Sequence, residues 1–449
     1  MDLRSKIPAC REKCAVIMEY LWIAIVILNG NSVYNANALR DYHLLFWCVI
    51  ATGALLLMNM WLRKARPTKA SVILAAVLAV HGLVYIFMRH EQMTVKRFAY
   101  LFVMGLPLLV MTFSAMHRQG RLMKLFYRMV NVVCVLGVVS VFFWVFGVLL
   151  GWIQPNMRTE IKWGHFTEID GYFGIHFAFQ QDTTFFKGQH LYRNSGIFAE
   201  APMFNLWADL ALAVEMLLKE KPSKVKVAVL CVTIVTTLST TGLIFIALCF
   251  GLWGLLHIKK LGRLKHWCKW LLIGGLTLAA GVAGYALYKL MAVKIQTVSF
   301  LMRLSDYVGA VVLWLKHPVF GSGFANLATL VGYVYSPNGT VGFSNSITGV
   351  LATGGLWMEL VYLIPHVGTM IPAFTKNKRV CLFATCFFYL FFTTAFFARY
   401  VAVVMIAFGM ILLMQKESQD AKDQHHRSLL RRGKLSSEVS DLPSGADPV

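Results

Sequence analysis

Apolar runs long enough to cross a bilayer recur from one end of this 449-residue chain to the other. A run of about 20 apolar residues crosses the hydrocarbon core as a helix, because a helix satisfies every backbone N–H and C=O within the segment. The chain is 58% hydrophobic and only 14% charged, more apolar surface than a soluble protein can hide. The expected fold class is therefore all-α, a polytopic membrane helical bundle of about 12 transmembrane helices. Spans are expected near 15–28, 43–62, 70–88, 98–115, 129–153, 203–218, 227–238, 242–258, 270–288, 345–372, 380–397 and 401–414. The first follows basic residues and precedes no small-residue cleavage site, so it reads as a retained span and not a removed signal peptide.

The formal charge of +22 invites a nucleic-acid reading. Its distribution argues against one. With the N-terminus inside, the segments 1–14, 63–69, 116–128, 219–226, 259–269, 373–379 and 415–449 fall on the cytoplasmic side. They carry 30 of the 43 Lys and Arg residues. The positive-inside rule then sets both termini in the cytoplasm, and the basic charge is topological, with no nucleic acid among the expected partners. The nine cysteines (10, 14, 48, 134, 231, 249, 268, 381 and 386) all fall in spans or on the cytoplasmic side, so no disulfide framework is expected. No metal site is expected either, since there is no His-x-x-x-His, no external cysteine pair and no paired-acid motif.

The domain organisation is a transmembrane body over 1–414 and a polar, disordered cytoplasmic tail over 415–449. Two large external segments interrupt the body. The first, about 154–202, interleaves charges with aromatic residues, a composition shared by sugar-contacting surfaces and interfacial aromatic belts. The second, about 289–344, opens with Phe300, Leu304, Tyr307, Val308, Val311 and Leu315 at helical spacing. That pattern predicts an interfacial helix with one apolar face. Arg303 and Asp306 can pair along it. After His317-Pro318, the turn Phe320-Gly321-Ser322-Gly323-Phe324 allows its backbone to approach something closely. The first external segment runs back into lipid through Tyr192-Arg193-Asn194-Ser195-Gly196-Ile197-Phe198-Ala199-Glu200-Ala201-Pro202, which sets an arginine and a glutamate at a membrane edge. Ionisable groups are costly there and mark functional sites.

Three patches resemble one family. Arg193 to Pro202 looks like the arginine, small residue, glycine, aromatic, Glu-Pro patch before a middle span in O-antigen polymerases. Ser239-Thr240-Thr241-Gly242 resembles their Ser-x-Thr-Gly turn between two spans. Arg303, Trp314, His317-Pro318 and Gly321-Ser322-Gly323 are similar to the Arg…Trp…Pro…Gly-x-Gly signature of the O-antigen polymerase and O-antigen ligase superfamily. The resemblance covers about 190–365 by motif and the rest by architecture. It implies an integral-membrane glycosyltransferase of the bacterial plasma membrane that uses no cofactor. On that reading it polymerises undecaprenyl diphosphate-linked oligosaccharide repeat units on the external face, for O-antigen, capsule or exopolysaccharide. The implied partners are that lipid-linked oligosaccharide, the lipid bilayer, and flippase and chain-length regulator proteins.

The chemistry that the resemblance implies fits particular residues. A departing diphosphate needs cations, and guanidinium forks suit phosphate oxygens. Arg193 and Arg303 are the expected diphosphate pair, with Lys187, Lys316, Arg158 and Arg399 as lesser members of the same field. The structural alternative for the pair is a salt bridge, Arg193 with Glu200 and Arg303 with Asp306. Tyr192, Ser344 and Asn345 complete the expected substrate contacts. Some ligases of the superfamily place a histidine before the Asn that starts the tenth span. Here Ser344 stands before Asn345, which weighs against a ligase. For a catalytic base, Glu200 comes first and His317 second, while His165, His176 and His190 read as loop residues. The intramembrane polar residues Glu19, His81, Asn131, Asp209, Glu215 and Glu359 form no evident relay, which disfavours the remaining alternative, a flippase or other carrier.

Overall fold

The computed structural model describes residues 3–89, 93–163, 165–179, 181–182, 191–261, 298–334 and 343–414. Its main helices are α1 (Leu3–Asn29), α2 (Leu44–Leu62), α3 (Lys69–Met88), α4 (Val95–Arg118), α5 (Leu122–Leu149) and α6 (Ala201–Leu218). They continue as α7 (Lys224–Thr236), α8 (Thr240–Leu261), α9 (Val298–Lys316), α10 (Ser346–Met370), α11 (Lys378–Thr393) and α12 (Tyr400–Met414). Among the described residues, seven of these are long and apolar enough to cross a membrane: α2 to α6, α8 and α10. The protein is a helical membrane protein. Among the described residues, the expected count of about 12 spans is not confirmed. The stretch 15–28 lies within α1, 227–238 in the 13-residue α7, 380–397 in the 16-residue α11, and 401–414 in the short α12. Thirteen residues of helix reach about 20 Å, against a hydrocarbon core of about 30 Å. The expected span 270–288 and the tail 415–449 lie outside the described residues.

Helix α6 is the centre of the bundle. Apart from Asn205, Asp209 and Glu215 its sequence is apolar around the helix, which suits a helix enclosed by protein. It is almost wholly buried among α5, α7, α8 and α11. Before it, α1 packs on α2 and α3 packs on α4; after it, α10 packs on both α9 and α11.

The described basic segments gather at one end of the bundle. Arg63 bridges Glu12 at 3.0 Å and the fully buried Glu19 at 2.6 Å, while Arg121 pairs with Glu12 and Arg128 with Glu19. Lys219 pairs with Glu215 at 2.8 Å, Lys226 donates to Asn131, and Arg379 donates to the Lys219 carbonyl at 3.0 Å. The buried acids Glu19 and Glu215 thus anchor the basic end, where they and Glu12 neutralise Arg63, Arg121, Arg128 and Lys219.

At the opposite end, the segment expected only as an external loop is built largely of strands. Strands β1 (Met157–Trp163), β2 (His165–Tyr172) and β3 (His176–Ala178) form an antiparallel sheet in the order β1-β2-β3. Glu160 lies opposite Glu168 and Ile161 opposite Thr167. The reason is a period of two: Glu160-Ile161-Lys162 and Glu168-Ile169-Asp170 alternate charged and apolar residues. Ile161 and Ile169 turn inward onto Phe177, Val33 and Ala199. Arg158, one of the lesser cationic candidates, pairs on the surface with Asp170 at 3.1 Å. Lys187 and His190 lie outside the described residues.

His176 ties this sheet to the bundle. Its Nδ1 lies 3.1 Å from Ser140 Oγ on α5, and the same hydroxyl donates to Asn194. Burial pushes the imidazole down to about 4. The folded state therefore binds this proton less tightly than the unfolded chain, so its contribution is complete above about pH 6.5 and is lost as pH falls toward 4. The expected loss, at about 1.4 kcal/mol per unit, is about 3 kcal/mol. Thermal unfolding of the solubilised protein across that window checks it, and His176→Gln should flatten the dependence.

Helix α9 presents two sides. Leu304, Val308, Val311 and Leu315, expected to mark its apolar side, are uncovered by protein. The side packed on protein carries Ala310 and Leu313, set against Leu330 in the segment before α10 and Ala352 of α10. The helix has two apolar aspects, and the packed one includes Gly309, where a Cβ would stand 2.4 Å from the Tyr333 carbonyl oxygen. Lys316 is engaged by Tyr333, its Nζ donating to the phenol at 2.7 Å.

Past α9, the turn through Phe320-Gly321-Ser322-Gly323 meets a break in α10. Gly355 has φ +65 within that helix, and Gly321 has φ +66. Ser322 N–H donates to the Ala352 carbonyl, Gly323 N–H to Thr353, and Leu356 N–H to Pro318. The turn and the kink satisfy one another, backbone to backbone, inside the fold.

Candidate functional site

The end opposite the basic segments holds a cavity of about 540 Å³. Three cations line it: Lys96 and Arg97 at the start of α4, and Arg399 from the loop joining α11 to α12. Asn29, Asp41 and His43 share its wall. Immediately behind Lys96-Arg97, α4 widens into a π-helical stretch over Ala99–Gly105, a departure that often accompanies functional positions.

The loop that presents Arg399 is held on every side. Ser346 Oγ donates to the Thr394 carbonyl and accepts the Phe396 N–H at 2.9 Å. Tyr362 donates to the Phe397 carbonyl at 2.6 Å, Arg97 to Ala398 at 2.9 Å, and Tyr400 N–H to the Asn29 side chain at 3.0 Å. A guanidinium on so fixed a loop loses little freedom when an anion arrives.

Asn31 joins Arg399 to Glu200. Its Oδ1 accepts from Arg399 Nη2 at 2.8 Å, and its Nδ2 donates to Glu200 Oε1 at 3.1 Å. The residue adopts φ 68, and its carbonyl accepts the Ala199 N–H at 3.0 Å. One amide therefore orients a cation and a carboxylate together. Burial and, next, the like charge of Arg97 work against the Arg399 cation, while Glu200 works for it. Among the described residues, Arg399 lines the cavity and Glu200 does not.

The three motif patches converge on this end. Arg193 Nε donates to the Thr237 carbonyl at 2.8 Å, at the end of α7 and just before Ser239-Thr240-Thr241-Gly242. The Thr237 hydroxyl donates to Asn205 of α6 at 3.2 Å, and a Cβ at Gly242 would fall on that same Asn205 oxygen. Tyr389 donates to the Thr241 carbonyl at 3.1 Å and lies within electrostatic reach of Arg303. Phe324, after the Gly-Ser-Gly turn, packs edge-on to Phe98 at 5.4 Å and Phe397 at 5.6 Å. Phe98 follows Arg97, and Phe397 precedes Arg399 by two residues.

No family model, curated protein or solved structure matches this chain. The site therefore rests on its own geometry.

Arg193 reaches the Ser-Thr-Thr-Gly turn, Tyr389 links that turn to Arg303, and Asn31 links Glu200 to Arg399. Arg303 and Asp306 act on one another as their spacing predicts. Burial raises the Asp306 carboxyl, and Ser344 and Arg303 oppose that rise. Tyr192 accepts from the Trp144 indole through its carbonyl at 2.8 Å. The His317 carbonyl accepts the Gly321 N–H at 2.9 Å, within the turn that meets the α10 break. Asn345 caps α10, its Oδ1 accepting from the Thr348 N–H at 2.9 Å and from the Thr348 hydroxyl. Asn345→Ala is thus expected to lower stability by about 1 kcal/mol. Asn345→Asp should restore the melting temperature.

Lys96, Arg97 and Asn31 were missed by sequence reasoning. For the first two a signal existed. They stand in a short external segment where the positive-inside rule expects few cations. Nothing local distinguishes Asn31, because both its partners are more than 160 residues away.

Proposed function

We propose that the protein is an integral-membrane glycosyltransferase of the bacterial plasma membrane, with both termini cytoplasmic. It polymerises undecaprenyl diphosphate-linked oligosaccharide repeat units on the external face. The observation that carries this reading is the cavity walled by Lys96, Arg97 and Arg399 at the end opposite the basic segments. A diphosphate leaving group carries the charge that such a cluster stabilises, and most strongly as the glycosidic bond breaks. The clustering of Arg193, Thr237 to Gly242 and Arg303 at the same end adds support, since these are the patches that resemble O-antigen polymerases.

In the reaction, an acceptor hydroxyl attacks the anomeric carbon of the growing chain. The bond from that carbon to the phosphate oxygen breaks, and the electron pair leaves with the lipid diphosphate. Fixed guanidinium groups lower the barrier without reorganising, because their loop is already held.

Purified protein in liposomes, supplied only with lipid-linked repeat units, is expected to lengthen them into a ladder. Movement of the lipid across the bilayer with no lengthening would establish the carrier reading instead.

A further inference from the structure

The cavity wall also carries a histidine held by a carboxylate. His43 Nδ1 lies 2.9 Å from Asp41 Oδ2, and the His43 N–H donates to Asp41 Oδ1 at 2.8 Å. Both residues line the cavity that holds Arg97 and Arg399. A carboxylate on Nδ1 selects the tautomer whose proton sits there and leaves the Nε2 lone pair to accept another. His43 is also held at φ 49, a left-handed conformation uncommon for a residue with a side chain. Two bonds to a single carboxylate fix this strained residue at the head of α2.

We propose that the Asp41–His43 dyad is the general base for the acceptor hydroxyl. The proposal rests on the polymerase reading and assigns the proton that Ser344 has no imidazole to take. Depth sorts the groups by task. His43 and Asp41 are 60% and 77% exposed, at the watery mouth where a sugar acceptor arrives. Arg97 and Arg399 are half-buried, where the lipid-borne diphosphate sits nearer the membrane. As the acceptor oxygen bonds to the anomeric carbon, its proton moves to His43 Nε2. The bond to the diphosphate breaks, its electron pair goes to the phosphate oxygen, and His43 then releases the proton to water. Asp41 orients the ring and stabilises the imidazolium, and Glu200 is left as the counter-ion of Arg399. The charged and titratable groups sharing the cavity with His43 are Asp41 on its own segment, Lys96, Arg97 and Tyr100 of α4, and Arg399.

The test is the lengthening of lipid-linked repeats by protein in liposomes. His43→Gln is expected to lower kcat about 100-fold, with KM for the lipid-linked donor within about twofold. It should also abolish the fall in rate on acidification, which in the wild type follows protonation of the base. Asp41→Asn is expected to lower kcat by an intermediate factor. His43→Gly, which suits the left-handed backbone, should recover rate when imidazole is added, as a merely structural histidine would not. If His43→Gln keeps wild-type kcat and the wild-type pH profile, the dyad is overturned and the polymerase reading stands. A wild-type protein that lengthens no repeat overturns both.

Discussion

Arg399→Ala is expected to abolish glycan lengthening while the protein remains folded in the membrane. Removing one preorganised donor to developing negative charge typically lowers turnover by about 10² to 10³. Two features raise the effect toward the upper part of that range. The loop carrying Arg399 is fixed by Ser346, Tyr362, Arg97 and Asn29, so the guanidinium that is lost is a preorganised one. The residue is also the direct partner of the Asn31 amide, so its loss breaks the link that Asn31 makes between Arg399 and Glu200. Arg399→Lys restores charge but not the fork, and intermediate activity is expected. The measurement is the length distribution of glycan made from lipid-linked repeats. A full-length ladder from the alanine variant would remove Arg399 from the site.

Gly355→Ala is expected to be the most damaging single substitution for the fold, by about 4 kcal/mol or more. Its backbone is left-handed within α10, and a Cβ there would stand 2.5 Å from the Gly321 nitrogen. The clash is reciprocal, since a Cβ at Gly321 would meet the Gly355 nitrogen at 2.5 Å. Neither contact is relieved by turning a side chain, because backbone opposes backbone. The damage should appear as a lowered unfolding temperature and a reduced folded yield from membranes. Gly53 is the control: a Cβ there meets nothing within 4 Å, and its alanine variant should behave as the wild type.

The motif Gly321-Ser322-Gly323 shows how far sequence reasoning carried. That the backbone must come close to something was legible, since glycine is the residue that permits it. What it approaches was not, because Gly354 and Gly355 lie in a helix some thirty residues on. The same division holds at the site. Glu200 stood out as a carboxylate at a membrane edge, and Arg193 as its nearest cation in sequence. The structure ties Glu200 through Asn31 to Arg399, almost two hundred residues further along. In the external segment the alternation of Ile161 and Ile169 with charged neighbours was a readable strand signal, masked by the aromatic composition around it.

The sequence by itself determined that the chain is a bundle of apolar helices with its basic segments apart from its aromatic loops. Apolar length and charge position are properties of contiguous residues, and bilayer thickness and surface charge act on them directly. Only the tertiary structure decided that Lys96, Arg97 and Arg399 wall one cavity, that His43 and Asp41 stand at its mouth, and that Asn31 couples Glu200 to Arg399. Helical periodicity names the face a residue occupies. The residue it meets across that face depends on how helices distant in sequence pack together.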